Sequence, residues 1–219
     1  MPVFRKRDYK SPKRKIFEEN ALEKSVERQG KKRAYSNRTV WSQEHASLPV
    51  IAHNFPQIFR SGGFIDQRIA EMKRPLAVLD WGCGSGVAAD ELARELGGKA
   101  RVYGFSKDSY RKWQGIDNVK FIHSSSADLL RYIKPGSLDL IYSFNGLRHY
   151  PIEAFDSSGM QNYLNALAGK LSKGGKLVFN FTAAQENEIA ELQSLTAGKK
   201  FSFEFPDSPW RKVCITRLK

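Results

Sequence analysis

LAVLDWGCGSGVAADELAREL, running from Leu76 to Leu96, is the stretch on which the fold turns. An apolar run, Leu76 to Trp81, carries a single acid, Asp80, near its end. Gly82, Gly84 and Gly86 follow at once, and then Val87 opens a pattern of apolar and charged residues with helical spacing. This is a strand, a tight bend and a helix. Residues without a Cβ let the backbone turn sharply and come close to whatever lies against it. The first N–H groups of the following helix have no partner inside that helix and point back at the same bend.

The chain downstream repeats the alternation. Short apolar runs recur at 101–105, 119–123, 138–143 and 176–181, with helical stretches expected near 86–97, 107–114, 126–133, 160–172 and 185–196. Strands alternating with helices imply a mostly parallel sheet covered on both faces. The end differs. FSFEF (201–205), the turn PDSPW and KVCITRL (212–218) read as two strands joined tightly, an antiparallel pair closing the sheet. In such sheets ligands bind beyond the carboxyl ends of the strands, where the strand order reverses. The glycine bend lies at that place.

The spacing narrows the ligand. Val87 stands where a dinucleotide fingerprint G-x-G-x-x-G has its third glycine. Asp80, two residues before Gly82, would repel a pyrophosphate seated on the helix start and would attract a cation. Ser106-Lys107 keeps an alternative in view, because loss of an acid beside a new cation in dehydrogenases signals NADP. Asp80 and Val87 oppose it.

VLDWGCGSG at 78–86 resembles the signature of the class I, Rossmann-like S-adenosylmethionine-dependent methyltransferases. GFSKDS (104–109), FIHSSSADLL (121–130), LDLIYSFNGLRHY (138–150) and LSKGGKLVFNF (171–181) fall at that family's usual intervals, so the resemblance spans roughly 76–219. It implies a doubly wound α/β fold: a seven-stranded sheet of order 3-2-1-4-5-7-6, the last strand antiparallel. It implies S-adenosyl-L-methionine as cofactor, cradled by Asp80, Gly82, Cys83, Gly84 and Gly86. The family's ribose-binding acid after the second strand corresponds to Ser106, followed by Lys107, with Asp108 near enough to substitute. The acid near the adenine corresponds to Ser125, followed by Ser126. Ser143, Phe144 and Asn145 would face cofactor and substrate. A serine in place of a carboxylate removes a charged hydrogen bond, about 1–2 kcal/mol, or roughly 5–30-fold in affinity.

Some methyl acceptors are disfavoured. SFNGL (143–147) lacks the Asn/Asp-Pro-Pro-aromatic tetrad that the resemblance would require for adenine amino groups. Pyrimidine C5 methylation needs a cysteine nucleophile, and the two cysteines, Cys83 in the bend and Cys214 in a terminal strand, read as structural. Oxygen or ring-nitrogen acceptors remain, in RNA, protein or a small molecule. His149 is the candidate general base, with Arg148 beside it, and packing is the alternative for both. Trp41, His45 and His53 are a candidate lid, with hydrophobic docking as the favoured rival reading, and Trp210 is a candidate neighbour of the substrate, with an ordinary turn as the favoured reading.

The chain has 219 residues and 36 Lys+Arg against 23 Asp+Glu, a net charge of +13. Residues 1–45 hold 13 basic and 6 acidic residues, a surplus of +7. Such an excess favours polyanions, so RNA or a ribonucleoprotein is the expected partner. The expected division is a basic extension over 1–60, disordered at first, with a short helix in 16–33 and an aromatic-rich part packed on the main domain, and a methyltransferase domain over 61–219. A catalytically silent, methyltransferase-like RNA-binding or assembly factor is the alternative from another class. No run reaches the ~20 apolar residues of a membrane helix, and no secretory leader is apparent. The expected location is cytoplasmic. Two cysteines and four scattered histidines offer no metal-ligand spacing.

Overall fold

The computed structural model describes residues 46–147, 157–181, 186–196, 200–206 and 211–219. The leader, the helix expected in 16–33, Trp41, His45, Arg148, His149 and Trp210 lie outside them.

Seven strands form one sheet: β1 (Leu76–Trp81), β2 (Ala100–Ser106), β3 (Val119–His123), β4 (Leu138–Ser143), β5 (Leu171–Asn180), β6 (Phe201–Glu204) and β7 (Lys212–Arg217). Their order is β3-β2-β1-β4-β5-β7-β6, as the resemblance implied. The first five are parallel, and β7 runs antiparallel to both β5 and β6. β1 and β4 are buried along their whole length. This is why they read as continuous apolar runs rather than alternating ones.

Helices cover both faces. On one lie α1 (Leu48–Asn54), α2 (Pro56–Phe59), α3 (Phe64–Glu71) and α4 (Val87–Leu96). Their Ile51, Ile58, Ile65 and Leu92 pack with Val78, Leu140, Val178 and Cys214 of the sheet. On the other face lie α5 (Ser126–Tyr132), α6 (Ser157–Ala168) and α7 (Glu186–Thr196). Leu129, Leu164, Leu167 and Ile189 pack there with Leu79, Phe105, Ile141 and Phe179. The aromatic-rich stretch before the sheet is therefore helical from Leu48. Glu91 on α4 accepts the Leu48 N–H at 2.6 Å and fastens it.

Two expectations shift. The helix expected over 107–114 is only a 3-10 turn, Arg111–Gly115. Its Trp113 is drawn down to the sheet, where Nε1–H donates to the Gly84 carbonyl at 2.9 Å. The helix expected over 160–172 ends at Ala168, and the chain is already strand by Leu171, paired with Leu138. At the base of the sheet Asp139, fully buried, accepts two hydrogen bonds from Arg74 at 2.7 and 2.9 Å. It also accepts from Ala77 N–H at 2.9 Å and Ser172 hydroxyl at 2.6 Å.

Candidate active site

The register places one residue from each strand in a row across the α1–α4 face: Phe121, Gly104, Asp80, Tyr142, Val178, Cys214 and Glu204. Asp80 is 4% exposed. Tyr142, directly beside it on β4, donates its hydroxyl to Asp80 Oδ2 at 3.0 Å. Burial pushes the Asp80 carboxyl up to about 7, and the Tyr142 hydrogen bond works against that rise. Among the described residues Asp80 has no ion pair. A desolvated carboxylate held by a neutral hydroxyl is suited to a cationic ligand.

Next along the row Gly104 has no side chain, and Phe121 leans across it. A Cβ on Gly104 would come within 2.7 Å of the Phe121 ring and 2.9 Å of Cys83 Sγ. Trp113 stacks on Phe121 from outside, with centroids 4.6 Å apart and planes 5° from parallel. The bend then rises over these rings. Gly82, Gly84 and Gly86 all have positive φ, at 84°, 51° and 81°. Gly82 and Cys83 N–H both donate to the Phe105 carbonyl, at 2.8 and 2.9 Å. A Cβ on Gly86 would strike Phe121 at 2.5 Å, and one on Gly82 would strike Gly146 Cα at 2.8 Å. Part of the glycine signature thus serves the protein's own packing.

The other expected positions surround this centre unevenly. Ser106 ends β2 and is buried, and its hydroxyl accepts the Asp108 N–H at 3.2 Å. That turn carries Asp108 just past the strand, with Lys107 exposed beside it. Ser125 caps α5. Its hydroxyl accepts the Asp128 N–H at 3.1 Å and donates to the Asp128 carboxylate at 2.8 Å, so it has a structural duty of its own. Ser126 is buried behind it. Ser143 is fully buried, and its hydroxyl accepts the Leu147 N–H at 2.9 Å, shaping the turn after β4. Phe144 is half-buried and Asn145 buried. Asn145 takes a left-handed conformation, φ 63°, held by Asn180: its N–H donates to Asn180 Oδ1 at 2.7 Å, and Asn180 Nδ2 donates to Asn145 Oδ1 at 2.5 Å. Cys83 is buried, its thiol pushed well above its usual range by burial and then by Asp80. Such a thiol is no nucleophile at neutral pH. His53 sits on the exposed side of α1, turned away from the core.

Sequence reading missed Tyr142, Asn180, Trp113 and Phe121. Asn145 and Asn180, each just past or at the end of its strand, were the legible hint. Clefts elsewhere contain few of these groups. One of about 440 Å³ lies among Leu48, Ala52, Phe59, Glu91 and Leu96. Another of about 510 Å³ flanks Arg101, Tyr103, Trp113 and Lys120.

A sequence model described as a methyltransferase domain matches residues 78–175. Among curated proteins none matches. Among solved structures, a protein designated an rRNA methylase from Clostridium thermocellum aligns with TM-score 0.52 and 20% identity, over 70% of this chain and 95% of its own. An rRNA methylase from Streptococcus thermophilus aligns with TM-score 0.50 and 16% identity, over 71% and 94%. A protein designated a methyltransferase from Streptococcus mutans, crystallised with S-adenosylhomocysteine, aligns with TM-score 0.50 and 14% identity, over 70% and 95%. At these identities the likeness is one of fold. The domain match begins inside β1 and takes in the bend, β2, β3 and β4, the elements that carry the buried acid and its partner. Residues 78–175 thus match a methyltransferase domain, and the seven-stranded sheet around them has the strand order that the resemblance to class I, Rossmann-like S-adenosylmethionine-dependent methyltransferases implied.

Proposed function

We propose that this methyltransferase acts on an oxygen or ring-nitrogen atom of RNA. The observation that carries this reading is charge: +13 overall, from 36 basic and 23 acidic residues. Exposed cations also flank the carboxyl edge of the sheet, with Lys107, Arg111 and Lys112 beyond β2 and Arg211 at the entry to β7. Neutralising phosphates and releasing their counterions is what such a surface does. Two of the structurally similar proteins bear rRNA methylase names, which supports the reading.

Bound, the cofactor supplies a methyl group already activated on a positively charged sulfur. What the chain must add is placement and exclusion of water. Asp80 suits the cationic methionine end, as the resemblance implies for this position. Asp108, carried past β2 by the Ser106 turn, takes the place of the missing ribose acid. The buried Cys83 thiol argues against a covalent route. His149 is kept as the proposed general base. Among the described residues no helix is long and apolar enough to cross a membrane, and we assign the work to the cytoplasm.

The test is transfer of labelled methyl from S-adenosylmethionine into total RNA, with nucleoside digestion to find the modified atom. Binding of RNA should weaken steeply between 50 and 200 mM salt, by an order of magnitude or more. RNA binding indifferent to salt, or label found only in protein or small molecules, overturns the reading. A fluorescent fusion of the full chain should fill the cytoplasm, and a membrane or organelle pattern would count against that assignment.

A further inference from the structure

Lys212 is the first residue of β7 and is 8% exposed. Lysines are almost never buried to this degree without a partner. Here, among the described residues, the ammonium has no carboxylate and no hydrogen-bond acceptor. It lies 5.8 Å from the centroid of the Phe55 ring, at the end of α1. Partial burial lowers its pKa from the ordinary value, as expected for a cation partly withdrawn from water with no anion beside it. Its neighbour Arg211 is the contrast: half exposed, with Glu186 at 3.3 Å.

The position matters more than the burial. β7 is antiparallel to β5, so its first residue lies at the carboxyl edge of the parallel strands, paired with Asn180. Asn180 in turn holds Asn145 after β4. Residues two apart in a strand share a face, so Lys212 faces the same way as Cys214. It therefore lies on the Asp80 side of the sheet, one pleat nearer the open edge. Three strand spacings, about 14 Å, separate its strand from that of Asp80. A carboxylate thus marks one end of this edge and an ammonium without an anion marks the other, with the Asn145–Asn180 pair between.

We propose that Lys212 is an acceptor-binding residue, its ammonium holding a backbone phosphate of the RNA that presents the methyl-accepting atom. The identity of the anion rests on the RNA reading above. The existence of an anion site rests on β7 alone. The buried Phe55 ring lies 5.8 Å from the ammonium and gives it a fixed neighbour on the protein side.

The experiment compares the native full chain with Lys212→Gln and Lys212→Arg, each saturated with S-adenosylhomocysteine. Two probes are titrated: a labelled single-stranded RNA 20-mer and inorganic tripolyphosphate. Lys212→Gln should bind both about tenfold more weakly, the loss of one charge-assisted contact. Its salt slope for RNA should fall by about one. Lys212→Arg should stay within about threefold of native, and S-adenosylhomocysteine affinity should be unchanged in all three. If Lys212→Gln fails to fold, Lys212→Met, which keeps the apolar stem, replaces it. Native-like binding of both probes by the neutral variant overturns the proposal. If the native chain binds tripolyphosphate through Lys212 but does not bind RNA, the anion site stands and the RNA reading falls. If the native chain binds neither, both fall.

Discussion

Tyr142 stands beside Asp80 in the neighbouring strand and reaches it at 3.0 Å, one buried hydroxyl fastened to one buried carboxylate. Phe59 of α2 meets the Tyr142 ring edge-on at 5.2 Å, so the helices before the sheet press on the group that holds the acid. Replacing Asp80 by Asn keeps the shape and removes the charge. S-adenosylhomocysteine at 100 times its dissociation constant should add about 2.7 kcal/mol to the stability of the native chain. With Asp80→Asn that gain should largely vanish, as read by thermal unfolding with and without ligand. A shift of native size in the variant would remove Asp80 from the site.

The same acid sets a pH dependence. Its carboxyl is raised to about 7 by burial, and in the proposed site the cationic end of the cofactor prefers it ionised. Cofactor affinity should therefore weaken as pH falls from 8 to 6. Without ligand the sign reverses. The folded value lies above the unfolded value near 3.9, so Asp80 stabilises the fold fully below about pH 4, and that contribution is lost as pH rises through 7. Asp80→Asn should accordingly gain stability relative to the native chain between pH 5 and pH 8. Tyr142→Phe removes a hydrogen bond that lowers the Asp80 value and should move the binding midpoint upward. Calorimetric titration across pH 5.5–8.5 measures both, and coincident midpoints would refute the coupling.

How much of this was readable beforehand follows from burial. β1 and β4 were legible because they are buried on both faces and so are apolar throughout. The closing β6–β7 pair was legible from its turn. Tyr142 was not, since a tyrosine in an aliphatic run reads as core, and its pairing with Asp80 depends on β4 lying beside β1, a neighbour distant in sequence. Lys212 was not, since a lysine at a strand start reads as solvated. Its burial comes from β7 lying between β5 and β6, with Phe55 across it. The glycines were legible as a bend but not as packing partners. Only the structure shows that Phe121 crosses from β3 to occupy the space they leave. The short turn at Arg111–Gly115 escaped because tertiary contacts of Trp113 override local helical preference.

In the proposed site Ser106 and Asp108 divide the ribose-binding task that the resemblance gives to an acid at the strand end. The serine hydroxyl accepts the Asp108 N–H and leaves the Asp108 carboxylate half-buried just past β2. Asp108→Asn should weaken S-adenosylhomocysteine binding by roughly 5–30-fold, about 1–2 kcal/mol. Adenine alone, lacking the ribose, should lose nothing. Equal losses for both ligands would mean that Asp108 acts through the fold rather than on the ribose.

Gly104 and Gly86 both adjoin Phe121, yet they should respond differently to repair. Alanine at Gly104 would put its Cβ 2.7 Å from the Phe121 ring, and the ring cannot retreat because Trp113 stacks on it at 4.6 Å. The cost should be about 1–3 kcal/mol. Its backbone is ordinary strand, so shortening the ring in a Gly104→Ala, Phe121→Leu double variant should recover part of that cost, although Cys83 Sγ at 2.9 Å limits the recovery. Gly86 meets the same ring at 2.5 Å but also has φ of +81°, a conformation that an alanine adopts only with strain. Phe121→Leu should therefore rescue Gly86→Ala much less. Two double-mutant cycles by urea denaturation separate the terms. Equal coupling in both would show that the bend tolerates a side chain and that Phe121 alone excludes it.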